Sequence, residues 1–228
     1  MRVVSVNSAV PKTVEQRGKP TSTGIFKKPT ADPVRLTTTG VEGDYVADTK
    51  NHGGPEMAVY CIDRDVYERW ESAALLPVSI GSPLHLPPGV FGENLTLEGM
   101  SDTMIHIGDR FAIGHEGTEI EVSMPRTPCS MLGIAMGDME FPKRFLESCH
   151  VGFYARVIHE GHVRAGDLVR QTRADAAHLS VAEVVRIRFF ESDNPARIAR
   201  ALECRSLSPK WRTWLEQRRE ELATGTSS

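Results

Sequence analysis

One cysteine of this chain lies in a setting that could activate its sulfur. Residues 119–124 alternate polar and apolar side chains, a pattern typical of a half-buried strand. Pro125 and Pro128 must end this strand, because proline has no backbone N–H to donate. Cys129 follows directly, at the start of a predicted short helix and close behind Arg126. The positive field of a helix N-terminus and an arginine favours the thiolate, which is a nucleophile and a soft metal ligand.

The same cysteine also has a simpler interpretation, as a small buried apolar side chain. The other cysteines, Cys61, Cys149 and Cys204, are widely spaced, and the sequence contains no CxxC pair. This spacing fits neither a disulfide framework nor a zinc site, and it predicts free thiols in a reducing compartment. The residues alone leave both interpretations of Cys129 open.

Two glycine-containing segments could present polar side chains to a ligand. In His52-Gly53-Gly54 the glycines would let the backbone approach an oxyanion or a metal beside the histidine. The alternative is a glycine turn that the histidine merely caps. In Phe91-Gly92-Glu93-Asn94 the start of a strand could present Glu93 and Asn94 to a ligand. The alternative is a turn in which Asn94 binds its own backbone.

Several basic side chains could together hold a phosphate group through charge-assisted hydrogen bonds. They are Lys27, Lys28, Arg126, Lys143, Arg144 and Arg156. Taken alone, each of them is more simply a solvated surface charge. The formal net charge of −3 gives no reason to expect a nucleic acid as partner.

No sequence feature suggests export or a membrane. Residues 1–6 resemble a first strand and lack the long apolar core of a signal peptide. No apolar run approaches the length of a membrane span, so the sequence predicts a cytoplasmic protein without a membrane partner.

The elements that must position these groups are mostly short strands. Strand patterns fall at 3–9, 34–38, 57–62, 91–97, 105–113, 119–124, 151–158 and 163–170, with 105–113 read as two strands around a Gly-Asp turn. Helices are predicted after Asp63 and over 142–149, residues 11–23 look turn-like, and 77–90 must be loop. About eight short strands with few helices between them favour a barrel or sandwich over a doubly wound fold.

The pattern changes near residue 174. Ser180 with Glu183, Asn194-Pro195 and Ser208-Pro209 each predict the start of a helix, and apolar residues follow at helical spacing. We therefore expect a strand-rich domain over 1–173, a three-helix domain over 174–223 and a disordered tail over 224–228. We expect the three helices to be separable, leaving a soluble core when removed.

The ordered set of motifs resembles the MOSC domain family, the molybdenum cofactor sulfurase C-terminal domains, and within it the YiiM-type subgroup. The matching segments are 24–27, 43–44 with 47–48, 52–55, 91–95, 125–133, 143–145, 152–157 and 161–167. They follow the family's order over nearly all of residues 1–170, and the three helices resemble that subgroup's C-terminal extension.

The resemblance implies a mixed, β-rich fold: a MOSC-type β-barrel with peripheral helices that binds molybdenum cofactor, a pyranopterin dithiolene with a phosphate tail. Cys129 falls at the family's cysteine, which ligates molybdenum. Acid candidates are His52, Asp44 and Glu93. The residues we assign to cofactor binding are Lys27, Gly53, Gly54, Phe91, Gly92, Asn94, Arg126 and Arg156. We expect at least one of Lys27, Arg126 and Arg156 to contact the phosphate or line its pocket.

The implied activity is reduction of N-hydroxylated compounds such as hydroxylated nucleobases, amidoximes and hydroxylamines, including detoxification of N-hydroxylaminopurine. No flavin or haem motif is present, so a separate flavin or iron–sulfur reductase must supply electrons. Two alternatives stay open: a sulfur or cofactor carrier with a persulfide at Cys129, and an interaction module formed by the arginine-rich helices. The sequence leaves the physiological substrate and the question of a homodimer open.

Overall fold

The computed structural model describes residues 1–49, 52–72 and 85–225. The strands in these ranges are β1 (Arg2–Ser8), β2 (Lys12–Gln16), β3 (Lys19–Thr23), β4 (Lys28–Pro29), β5 (Val34–Thr37), β6 (Gly40–Val41), β7 (Val59–Asp63), β8 (Leu95–Glu98), β9 (Arg110–Ile113), β10 (Thr118–Pro125), β11 (Phe153–His159), β12 (Gly161–Val163) and β13 (Val169–Arg173). The α-helices are α1 (Arg64–Ser72), α2 (Ser130–Met136), α3 (Phe141–Glu147), α4 (Val181–Phe189), α5 (Pro195–Leu202) and α6 (Pro209–Thr224), and a 3₁₀ helix spans Pro55–Met57.

Eight of the strands form one sheet in the order β13-β9-β10-β11-β7-β8-β1-β4. Its pairs are antiparallel except β7 with β8, which run parallel. A bridge between Arg2 and Leu168 joins β1 to the residue just before β13, beside a 2.8 Å hydrogen bond from the Val3 amide to the Asp167 carbonyl. The predicted mixed, sheet-rich class is confirmed.

Strand β7 and helix α1 follow the patterns predicted from the sequence. Every residue of Val59–Asp63 is buried, as expected for a continuous apolar run covered on both faces. The carboxylate of Asp63 accepts a 2.9 Å hydrogen bond from the Asp65 amide at the start of α1. This helix buries Val66, Tyr67 and Trp70 on one face, the spacing of an amphipathic helix.

Several predicted connections are wrong because strand pairing is not local. The single strand predicted at 163–170 is instead two strands, β12, which pairs with β5, and β13, which pairs with β9. Only Arg110–Ile113 of the predicted pair in 105–113 is a strand. Residues 11–23, expected as turns, form the hairpin β2–β3. Of the predicted loop at 77–90, residues 77–84 lie outside the described residues.

The three C-terminal helices begin where the sequence predicts. Ser180 Oγ accepts a 3.1 Å hydrogen bond from the Glu183 amide, and Asn194 Oδ1 accepts one of 3.1 Å from the Ala196 amide. The buried side chains of these helices share one hydrophobic cluster with those of the main sheet. α6 continues to Thr224, while residues 226–228 lie outside the described part of the chain. The proposed domain boundaries stay predictions.

None of the helices in the described ranges combines the length and the apolar character that crossing a membrane requires.

Candidate functional site

A cavity of about 630 Å³ opens beside the start of α2. Its walls come from the β2–β3 hairpin, the segment between β5 and the 3₁₀ helix, the centre of the sheet and the first residues of α2. Cys129 and Arg126 line it, together with His52, Lys27 and Asn94. Tertiary structure therefore brings these residues, which come from four separate predicted motifs, to one space.

Cys129 lies at the N-cap of α2 with an extended backbone, φ −122° and ψ 170°. Burial by itself would raise the pKa of its thiol. A hydrogen bond with His52, the charge of Arg126 and the amides of Leu132 and Met131 outweigh burial and lower this pKa to about 7. The cysteine is half-buried, so the thiolate is open to the cavity.

The other three cysteines lie in the opposite environment. Cys61, Cys149 and Cys204 are buried, and burial is the main cause that raises the pKa of each thiol. Each of them therefore fits the interpretation of a small apolar side chain, whereas Cys129 has the electrostatics of a reactive or metal-binding thiol.

We expect iodoacetamide to alkylate Cys129 selectively in the folded, cofactor-free protein. At pH 7 its rate should exceed that of each other cysteine by about tenfold or more, because only the thiolate reacts. The rate should rise as pH increases through about 7, where the Cys129 thiol loses its proton. Peptide mass spectrometry over a pH series measures both; equal labelling of Cys149 at pH 7 would contradict the expectation.

Arg126 is buried, with 3% of its surface exposed. Its amide donates a 3.0 Å hydrogen bond to the Gly152 carbonyl, and its guanidinium lies 5.2 Å from the centre of the Tyr60 ring. Among the described residues its Nη1 has no hydrogen-bond partner. A buried charged donor without a partner is costly, so this cavity-lining arginine is a candidate for binding an anion.

Lys27 is the second cation on the cavity wall, but it is already neutralised. Its ammonium pairs with Asp44, and the two side chains are only 7% and 5% exposed. Asp44 also accepts hydrogen bonds from Asn94 Nδ2 at 2.9 Å and from the Ala9 amide at 2.8 Å. Burial lowers the pKa of Lys27, and the charge of Asp44 opposes this effect. Arg126 is therefore the better candidate for binding an anion.

Four predicted site residues do not line the cavity, and the structure corrects their placement. In the segment Phe91–Asn94, Gly92 and Asn94 line the cavity while Phe91 and Glu93 face the core. Glu93 accepts 2.7 Å hydrogen bonds from the Gly89 amide and Thr96 Oγ1, and burial raises the pKa of its carboxyl. It is a buried anchor of this turn.

The other two corrections concern Arg156 and Gly54. Arg156 donates hydrogen bonds of 2.9 Å to Glu56 and 2.8 Å to Glu121, so its charge is used inside the fold. Gly54 caps the 3₁₀ helix, while its neighbour Gly53 does line the cavity.

Two tyrosines on the wall were missed. Tyr60 and Tyr154 are register partners on β7 and β11, with ring centres 5.4 Å apart, and both face the cavity. The available signal was alternation: Tyr154 lies next to the apolar Phe153 in a predicted strand and must face the opposite side. Their rings, tilted by 43° to each other, form an aromatic part of the wall near Cys129 and Arg126.

Two family models match this chain, one over the strand-rich part and one over the three C-terminal helices. The model of the MOSC domain matches residues 48–170, more than half of the chain, so the protein belongs to the MOSC domain family. The model of the YiiM-like, 3-alpha helix domain matches residues 179–222 and therefore covers α4 to α6. This pair of matches confirms the YiiM-type arrangement.

Two relatives match this chain over nearly its whole length, and a third matches part of it. The uncharacterized protein YflK of Bacillus subtilis is 34% identical over 220 residues, which cover 96% of this chain and 95% of that protein. The crystal structure of YiiM from Geobacillus stearothermophilus superposes with a TM-score of 0.77 at 28% identity, covering 96% of this chain and 98% of that one. A protein of Gibberella moniliformis named reductase is 31% identical over 166 residues, 73% of this chain but 28% of its own length.

Proposed function

We propose that this MOSC-family protein is a molybdenum-cofactor-dependent oxidoreductase that reduces N-hydroxylated compounds, N-hydroxylaminopurine among them, with electrons from a separate flavin or iron–sulfur reductase. The observation that carries the proposal is that two residues line one cavity: Cys129, whose thiol pKa is about 7, and the buried Arg126, whose Nη1 has no hydrogen-bond partner among the described residues. The relative named reductase supports an oxidoreductase activity.

Cys129 and Arg126 fit the two ends of the cofactor, the metal and the phosphate. A thiolate suits molybdenum, a metal that the dithiolene already holds by sulfur, and a buried arginine suits a phosphate. Within the described ranges no group of three or more His, Cys, Asp or Glu residues is arranged to hold a metal ion. A metal at Cys129 would therefore need most of its ligands from a cofactor, which the dithiolene provides.

The reaction cleaves an N–O bond with two electrons and two protons and releases water and the amine. When bound, the cofactor supplies the two-electron redox chemistry at its metal. Among the acid candidates, His52 is the best placed to hold a proton, because it hydrogen-bonds to Cys129 and lines the cavity. The carboxylate of Asp44 is occupied by Lys27 and Asn94, so we assign it the role of fixing the wall.

The proposed fold is a closed barrel. The bridge between Arg2 and Leu168 supports this, because it joins the two outer strands of the seven-strand series that runs from β13 to β1. Closure would remove two exposed sheet edges and fix the cavity wall on β7 and β11.

The test is production in a host that makes molybdenum cofactor, followed by metal and molybdopterin analysis of the purified protein. We expect bound molybdenum, and conversion of an amidoxime or hydroxylamine to the amine by protein reduced with a viologen dye. Cofactor or sulfane sulfur without turnover would instead support the carrier alternative. Absence of both molybdenum and molybdopterin in the protein from that host would contradict the proposal.

Arg126→Gln is expected to lower the molybdopterin content of the purified protein by about tenfold or more, since a charge-assisted hydrogen bond is worth roughly 1.5–3 kcal/mol. Lys28→Gln, at an exposed lysine of β4, is the matched control and should retain normal content. Arg156→Gln should destabilise the fold by breaking its pairs with Glu56 and Glu121. Full content in Lys27→Gln, Arg126→Gln, Arg156→Gln and their combination would place the phosphate elsewhere.

A further inference from the structure

Asp102 is a buried carboxylate that does not line the cavity. It is 0% exposed, and its Oδ2 accepts hydrogen bonds of 2.7 Å from the Val151 amide and 2.8 Å from the Gly152 amide. Its Oδ1 has no partner among the described residues. Burial, with smaller contributions from Asp65 and Asp63, raises the pKa of its carboxyl to about 7 despite the two amide donors. A carboxyl group kept at such a cost calls for a structural reason.

The two amides that Asp102 holds belong to a corner that contacts Arg126 by two routes. The Gly152 carbonyl accepts the 3.0 Å hydrogen bond from the Arg126 amide. The Val151 carbonyl accepts a 2.8 Å hydrogen bond from Tyr60 Oη, and the ring of Tyr60 lies 5.2 Å from the Arg126 guanidinium. One route fixes the backbone of Arg126, and the other fixes the aromatic ring beside its charged end.

The corner packs closely against β7. Gly152 has φ +75°, a conformation that favours glycine, and a Cβ added there would lie 2.3 Å from the Cys61 carbonyl oxygen. The hydrogen bonds from both corner amides go to the carboxylate of Asp102, so this side chain helps to fix the position of the corner.

We propose that Asp102 is a positioning residue for Arg126: by holding the Val151–Gly152 corner it keeps the guanidinium of this cavity-lining arginine beside Cys129. The proposal deepens the proposed function, and its consequence for cofactor binding rests on that function. Its consequence for the Cys129 thiol does not, because that thiol is influenced by Arg126 in the protein alone.

The same residue connects the site to the C-terminal helices. The backbone carbonyl of Asp102 accepts a 2.9 Å hydrogen bond from the Ala182 amide in the first turn of α4. The side chain of Asp102 thus holds the corner that contacts Arg126, while its backbone carbonyl binds α4.

The test is Asp102→Asn, which keeps the size of the side chain and removes its charge. The readout is the rate of Cys129 alkylation by iodoacetamide in cofactor-free protein, as a function of pH. We expect the rate at pH 7 to fall about threefold to tenfold and the midpoint of the profile to move to higher pH, because a displaced Arg126 stabilises the thiolate less.

Asp109→Asn is the matched control. Asp109 is also buried, and its carboxylate accepts hydrogen bonds of 3.0 Å from the His106 amide and 2.9 Å from the Asp175 amide, neither of which belongs to the Val151–Gly152 corner. Its alkylation profile should stay within about twofold of the parent. Tyr60→Phe removes the hydroxyl that binds Val151 and should give a change in the same direction as Asp102→Asn. If circular dichroism shows that Asp102→Asn is unfolded, Tyr60→Phe replaces it as the test variant.

A double-mutant cycle decides whether Asp102 acts through Arg126. In an Arg126→Gln background, Asp102→Asn should cause no further change in the alkylation profile. A parent-like profile for Asp102→Asn, or an equal fall in both backgrounds, would overturn the proposal. Molybdopterin content gives the second readout: if the alkylation effect is present but no variant or parent binds molybdopterin, the proposed function fails and the positioning role stands.

Discussion

Serine in place of Cys129 is expected to remove N-reductive activity almost entirely, by about a hundredfold or more, and to leave the fold intact. A serine hydroxyl is not ionised near neutral pH and is a hard oxygen ligand, so it replaces neither the thiolate nor the soft metal contact. The side chain is half-buried at the N-cap position of a short helix, where serine is a preferred residue, so the substitution should cost little stability. Turnover of an amidoxime by dye-reduced protein, with molybdenum per chain, measures the effect.

The controls are the remaining cysteines. Cys61, Cys149 and Cys204 are buried with raised thiol pKa values, so alanine at each position should reduce stability by roughly 1 kcal/mol and leave the activity of the folded protein unchanged. Full activity in Cys129→Ser would remove the metal-ligand assignment. Full loss in Cys149→Ala with a folded protein would show that reactivity had been assigned to the wrong cysteine.

Removal of residues 174–228 is expected to yield an aggregated or unfolded chain, contrary to the expectation from the sequence that the helices are separable. Val184, Ile198 and Trp211 are buried in the same cluster as Ile107 and Val122 of the strand-rich part. Cutting the helices away would expose these apolar surfaces to water at a cost of several kcal/mol, comparable to the whole stability of a domain.

Polar contacts across the same boundary add to this effect. The Ser208 amide donates a 3.1 Å hydrogen bond to the Ser123 carbonyl of β10, and Arg156 donates one of 3.0 Å to the Ser206 carbonyl. Soluble yield and circular dichroism of a chain ending at residue 173 measure the outcome, and a chain ending at Gly225 is the control. A soluble, cooperatively unfolding product from the shorter chain would show that the helices are an independent unit.

The sequence by itself determined where several strands and helices of this protein begin and end. Proline at 125 and 128 ends β10, and Cys129 then begins a helix, as predicted. The continuous apolar run gives a strand buried on both faces, and Ser180 caps α4. These features depend on residues within a few positions of one another, so short segments of the sequence are enough to predict them.

Tertiary structure alone decided which candidate residues share one space. Within the turn at Phe91–Asn94, Gly92 and Asn94 line the cavity while Phe91 and Glu93 are buried in the core, and only the tertiary structure shows which residues face the cavity. The charge of Lys27 is cancelled by Asp44, whereas Arg126 keeps a free nitrogen, although the sequence offered both equally.

The support of Arg126 by Asp102 was also invisible in the sequence. It passes through the adjacent residues Val151 and Gly152 and through Tyr60, which is distant from them along the chain and meets them because β7 pairs with β11 in one register. Strand register is set by the packing of the whole core, so contacts that depend on it cannot be deduced from any single segment.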